Sequence, residues 1–208
     1  MSTWIITPDK YLHPDEVKKL RTSIHANALL AKSKGRQMDL RAMVIIELGL
    51  STGLRVGEMS KLKVEDLQLK RGQNSLIVRS GKGGKTRVVQ FGVNLKNIIL
   101  EYLEHRSTDS EYLFASERQK FMSVSALQKV FKKASKKAGL PTRYSIHALR
   151  HTFCTMLYKA SGYNLRLVSL MAGHSSPNTT AVYAAVVNPD IEKAFQEMDS
   201  EGFLDSIS

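Results

Sequence analysis

The chain has 208 residues, enough to bury a core without covalent staples, and its one cysteine, Cys154, excludes an internal disulfide. No run approaches the roughly 18 apolar residues of a membrane span, and the start MSTWIITPDKYLHPDE has no basic segment leading into an apolar run, so a cytoplasmic protein with no membrane partner is expected. Lys and Arg number 31 against 19 Asp and Glu; this net charge of +12 favours a polyanionic partner, nucleic acid ahead of anionic membrane.

His13-Pro14-Asp15-Glu16 opens the first predicted helix, with Pro in the first turn and acids at the positive end of the dipole. Val17, Leu20, Ile24 and Ala28 then recur at helical period, and Gly35 ends the region. Leu40 to Leu50 is apolar nearly all round, which predicts a buried helix stopped near Gly49 and Gly53. A short helix follows from Val56 to Lys63. Leu76-Ile77-Val78 and Arg87-Val88-Val89-Gln90-Phe91 flank the turn Ser80-Gly81-Lys82-Gly83-Gly84-Lys85, which predicts a β-hairpin over 76–91. Asn94 is placed to cap the next helix, which carries Leu95, Ile98, Ile99, Tyr102 and Leu103.

Ser123 can cap a basic helix that Gly139 and Pro141 end. Lys129, Lys132, Lys133, Lys136 and Lys137 line one of its faces, and Leu127, Val130, Phe131 and Ala134 mark the other. The basic face, with Arg143 beyond it, reads either as a solvated surface or as a stripe that tracks phosphates. Ser145 can cap a helix over 146–160, and Asn164 one that stops at Gly173. Ser176-Pro177 opens a short helix through Tyr183, and Asn188-Pro189 opens the last, with Ile191, Ala194, Phe195 and Met198 as its apolar stripe. Six acids from Asp190 to Asp205 face the single Lys193, so this end is expected to meet protein and not DNA. The fold class is mainly α (α+β), a multi-helix domain with a small antiparallel sheet.

Taken one by one, the polar groups leave alternatives open. Arg55 and Glu58 can be a simple helical pair, or Glu58 can hold the guanidinium for a ligand. His147 and Arg150 share a helix face, as a capping His with a solvated Arg or as two donors to an oxyanion. His151 reads as a satisfied core histidine or a support behind that face. Lys82 and Lys85 sit on a glycine-rich tip without the strand–loop–helix setting of a nucleotide loop, so nucleotide binding is rejected. Such a tip can stay in solvent or enter a DNA groove, with Arg87 beside it. Tyr183, in an Ala/Val helix, can be packing or a nucleophile. Together they supply what metal-free phosphoryl transfer needs: a nucleophile, fixed cations for the non-bridging oxygens and a proton donor. No HExxH, paired Cys or clustered carboxylates offer a metal site, and no metal or other cofactor is expected.

Four segments resemble the tyrosine recombinase/integrase family, in its order. They are Thr52-Gly53-Leu54-Arg55-Val56-Gly57-Glu58, the hairpin tip Ser80–Lys85, His147-Ala148-Leu149-Arg150-His151-Thr152-Phe153, and Gly173-His174-Ser175-Ser176 with Thr179-Thr180-Ala181-Val182-Tyr183. The resemblance implies that Tyr183 is the nucleophile and forms a 3′-phosphotyrosyl link. It implies that Arg55, Arg150 and His174 stabilise the transition state, that Lys82 protonates the leaving 5′-oxygen and that His147 assists proton transfer. Glu58 and His151 would support these groups, and Lys85, Arg87, Lys129, Lys132, Lys133, Lys136, Lys137 and Arg143 would bind DNA. The implied activity is site-specific recombination of double-stranded DNA, by integration, excision or inversion. Four protomers would assemble on paired sites, with a monomer allowed without DNA. Relaxation of supercoils by a type IB topoisomerase-like route and a non-cleaving DNA-binding accessory role are the alternatives.

The expected layout is an extension over 1–11, a catalytic domain over 12–187, and a C-terminal helix with an acidic tail over 188–208 that docks on a neighbour or on its own core. Most family members carry an N-terminal helical domain. Only about eleven residues precede Leu12 here, which resembles either an excised catalytic domain or the short fimbrial phase-switch invertases.

Overall fold

The computed structural model describes residues 8–32, 37–79 and 86–173. The expected break at Gly35, the hairpin tip and everything after Gly173 lie outside the described residues.

Helix α1 spans Pro14–Lys32 and buries the predicted stripe Val17, Leu20, Ile24 and Ala28, with Ala31 added. Helix α2, Gln37–Thr52, is the centre of the core: it packs against α1 and against α4 (Val93–Glu104), α5 (Val124–Lys137) and α6 (His147–Ala160). That placement explains why its sequence has no polar face. Leu40, Met43, Val44, Ile45, Ile46, Leu48 and Leu50 are all buried. The buried carboxylate of Glu47 is matched by Arg21, through both oxygens, and by His25 at 3.0 Å, both on α1. Pairing of this kind is what lets a charge remain in a core.

The two glycines at the end of α2 do different work. Gly49 does not stop the helix; it thins it, since a Cβ there would stand 2.7 Å from Leu149 Cδ1 of α6. Gly53 does stop it, at φ +61°, and a Cβ there would stand 2.3 Å from the Phe153 ring. We predict that Gly53→Ala costs about 3 kcal/mol, combining left-handed strain with overpacking. Urea unfolding measures it, and a loss under about 1 kcal/mol would contradict the tight α2–α6 contact.

Helix α3 (Val56–Ser60) ends earlier than predicted, because Lys63 begins a new turn: its N–H donates to the Asp66 carboxylate at 3.1 Å. The predicted hairpin is present as β2 (Ser75–Val78) and β3 (Arg87–Gln90), to which β1 (Leu67–Gln68) adds an antiparallel strand not predicted from the sequence. Leu76 pairs with Val89 and Val78 with Arg87, so these four side chains share a face. Leu76, Val78 and Val89 are buried on it, and Val88 points outward.

Helix α4 starts at Val93 with Gly92 as its capping residue, so Asn94 lies inside the first turn and does not cap. The chain leaves β3 and enters the helix within two residues, which leaves no room for a later start. Ser123 caps α5 as predicted, its Oγ accepting the Ala126 N–H at 3.2 Å. Helix α6 starts one residue later than predicted, with Ile146 and not Ser145 at the cap. Helix α7 (Leu165–Ala172) is capped by Asn164 and ends at Gly173 with φ +63°. Phe153, Cys154, Tyr158, Val168 and Ala172 form a second apolar cluster that fixes α7 on α6. Cys154 is buried there, as a small hydrophobe.

Candidate active site

The site grows from the turn between α2 and α3. The left-handed Gly53 reverses the chain and leaves Arg55 as the extended residue that begins α3. The Arg55 backbone N–H donates to Glu58 Oε2 at 2.8 Å, and its Nη1 donates to Glu58 Oε1 at 3.0 Å. This is the carboxylate half of a capping box, in which Glu58 also grips the capping side chain; arginine has no acceptor to return the bond. The second Arg55 nitrogen, Nη2, donates to the Gly173 carbonyl at 3.0 Å.

Arg87 departs from the expectation of a DNA-facing side chain. It lies on the inward face of β3 and gives both terminal nitrogens to Glu58, at 2.8 Å each. Its side chain is 14% exposed. Alternation with the buried Val89, two residues on, was the sequence signal for this placement. Burial alone would push the Glu58 carboxyl up. The Arg87 and Arg55 hydrogen bonds and charges outweigh it and hold the group below the usual carboxylate range, so Glu58 stays ionised.

Arg150, on α6, is buried and bridges the same two elements from below: Nη1 donates to the Gly53 carbonyl, and Nη2 to the Ala172 carbonyl at 2.8 Å. Arg55 and Arg150 thus converge on consecutive carbonyls at the end of α7. Gly173 fits because it has no Cβ; one there would stand 2.7 Å from Arg87 Nε.

His147 begins α6 one turn before Arg150, so the two share a face, as the spacing predicted. Its ring is exposed, yet desolvation and then the Arg150 charge lower its pKa. It is therefore a neutral imidazole at pH 7. His151, next to Arg150 and one turn after His147, is held down to about 4, chiefly by burial and then by the charges of His147, Arg150 and Lys10.

The His151 shift has a consequence for stability. An unfolded imidazole binds its proton near pH 6.5 and the folded one near 4, so across that window the unfolded chain binds more protons. Stability is therefore complete above the window and falls as pH drops through it. We predict that wild type loses about 2 kcal/mol more than His151→Gln between pH 7 and pH 5, read by urea unfolding. Equal losses would remove His151 as the source.

Lys82, Lys85, His174 and Tyr183 lie outside the described residues. The five lysines of α5 are exposed, as expected of its basic face. Two of them are also tied to the protein itself: Lys132 donates to the Thr142 carbonyl at 2.6 Å, and Lys137 reaches Asn27 and Asp39. Arg143 is exposed and lies over the Tyr144 ring, 4.9 Å from its centroid. Among the described residues no three His, Cys, Asp or Glu stand together as metal ligands, and no helix is long and apolar enough to cross a membrane.

Comparison with known proteins points to one family. The sequence model of the phage integrase family matches residues 10–188. The chain is 34% identical over 193 residues to the tyrosine recombinase XerA of Pyrococcus furiosus, covering 91% of this chain and 62% of that protein. It is 29% identical over 195 residues to the tyrosine recombinase XerD of Listeria innocua, covering 90% of this chain and 62% of that protein. The chain thus spans a little over six tenths of these relatives, 62% in each case. Among solved structures it is similar to the XerA recombinase (TM-score 0.72, 28% identity, covering 95% of this chain and 65% of that one). It is also similar to the XerH site-specific recombinase bound to a palindromic difH substrate in a post-cleavage complex (TM-score 0.75, 26% identity, covering 90% and 53%).

Proposed function

Given that the chain belongs to the phage integrase family, we propose that it is the catalytic part of a site-specific DNA recombinase that cuts and rejoins double-stranded DNA through a 3′-phosphotyrosyl intermediate. The convergence of Arg55 and Arg150 on the end of α7 carries this reading, because the next residue in the chain is His174. Two guanidinium forks fixed by their own carbonyl and carboxylate partners are suited to the non-bridging oxygens of one phosphate. A guanidinium has five N–H donors, so Arg55 keeps donors beyond those given to Glu58 and Gly173.

In the proposed step the Tyr183 oxygen bonds to phosphorus as the bond from phosphorus to the 5′-oxygen breaks. Lys82 gives the leaving oxygen its proton, and neutral His147 assists removal of the tyrosine proton. Arg55, Arg150 and His174 take the charge that develops on the non-bridging oxygens. The phosphodiester energy is kept in the phosphotyrosine, so the strand can be rejoined to another 5′-hydroxyl without ATP and without a metal ion. The exposed lysines of α5, with Lys85 and Arg143, supply phosphate contacts that position the duplex. We further propose that four protomers act on two sites, and that residues 188–208 meet protein and not DNA.

A pool of nicked duplexes of randomised sequence, incubated with the protein in EDTA, tests this directly. Cleavage next to the nick frees a short strand, leaves the protein bonded to DNA and reports the preferred sequence. A pool that yields no covalent adduct would overturn the proposal.

A further inference from the structure

We propose that Arg87 is a positioning residue for strand cleavage, which keeps the Arg55 guanidinium available to the scissile phosphate by occupying the carboxylate of Glu58. This rests on the cleavage reaction proposed above.

The geometry of one carboxylate carries the inference. Glu58 faces two arginines and is 6% exposed at its side chain. Left with one guanidinium, a carboxylate takes it fork to fork, with two parallel hydrogen bonds. Here Arg87 holds that bidentate position, from Nη1 to Oε1 and from Nη2 to Oε2, both at 2.8 Å. Arg55 is left with a single side-chain bond to Oε1 and turns its other nitrogen to the Gly173 carbonyl. Its side chain is 30% exposed, against 14% for Arg87, so Arg55 is the member of the pair that an outside anion can reach.

Arg87 is fixed for this task. The pairing of Val78 with Arg87 places it on the inward face of the sheet. Gly173 lies against its guanidinium, where any Cβ would collide with Nε, Cδ and Cζ. The Nε is buried without a hydrogen-bond partner among the described residues, and the two bonds to Glu58 hold the group in place. Arg55, Glu58, Arg87 and Gly173 thus close a ring of contacts that ties β3 and α3 to the end of α7.

Removal of Arg87 would let Arg55 swing into the vacated bidentate pairing and withdraw donors from the phosphate. The test compares single-turnover cleavage of a nicked duplex carrying either a normal phosphate or a methylphosphonate at the scissile position. The methyl group removes the negative charge that Arg55 answers, while the bonds made and broken stay the same. On phosphate, Arg87→Gln is expected to cleave about 30-fold more slowly than wild type, with DNA affinity within about threefold. On methylphosphonate the gap should close to about threefold, as it should for Arg55→Ala. Arg87→Lys, a point charge that cannot span both oxygens, guards against a folding failure: its melting temperature should match wild type while its phosphate cleavage remains slowed. Equal slowing on both substrates would make Arg87 a structural residue only, and wild-type rates on phosphate in both variants would sink the proposal. Absence of cleavage by wild type would instead overturn the recombinase reading on which it stands.

Discussion

Tyr183→Phe is expected to bind DNA like wild type and to form no covalent adduct. The substitution removes one oxygen from an aromatic ring, so packing and charge are nearly unchanged. The chemistry is not, because no other atom of the side chain can bond to phosphorus. Loss of a nucleophile that acts together with a set of fixed donors costs on the order of 10⁴-fold or more, since the donors then have no reaction to accelerate. Denaturing electrophoresis of the nicked-duplex reaction separates protein bonded to DNA from protein that is merely bound. An adduct that persists in the Phe variant would assign the nucleophile elsewhere. Loss of the wild-type adduct on adding EDTA would overturn the metal-free mechanism.

Arg150→Ala should slow cleavage by about 10²–10³-fold, the effect of removing one oxyanion donor, while changing DNA affinity by only a few fold. In the proposed step Arg150 contributes most when charge peaks in the transition state, whereas affinity is spread over many exposed cations. Arg150→Lys should recover little, because an ammonium cannot bridge the Gly53 and Ala172 carbonyls as the planar fork does. Single-turnover rates alongside fluorescence anisotropy with labelled duplex make the comparison. A defect confined to binding would make Arg150 a docking residue.

Much of this arrangement was legible in the chain because local rules and the final packing agreed. The α1 stripe follows from helical periodicity, and the Ser123 and Asn164 caps and the helix stop at Gly173 each follow from one residue's own preference. The hairpin followed from β-branched runs around glycines. What escaped depends on partners far away in sequence. Gly49 looked like a stop and is instead a contact surface for Leu149, 100 positions on. Asn94 is a good capping residue, but the exit of β3 had already set the start of α4. The charge of Arg87 suggests a DNA-facing cation; its place in the strand turns it inward, and the carboxylate that holds it is 29 residues earlier. The convergence of Arg55 and Arg150 on two adjacent carbonyls is likewise invisible in a string of residues, since nothing local marks a main-chain oxygen as a ligand.

The double employment of Arg150 bears on how such sites decay. Its fork closes the gap between the Gly53 turn and the last carbonyl of α7, inside the protein. A descendant that had stopped cutting DNA would still need that brace, because two buried oxygens would otherwise lose their donors. His147, exposed at the rim, has no comparable brace among the described residues and would be freer to drift. In such a descendant the buried arginine would persist after His147 had drifted.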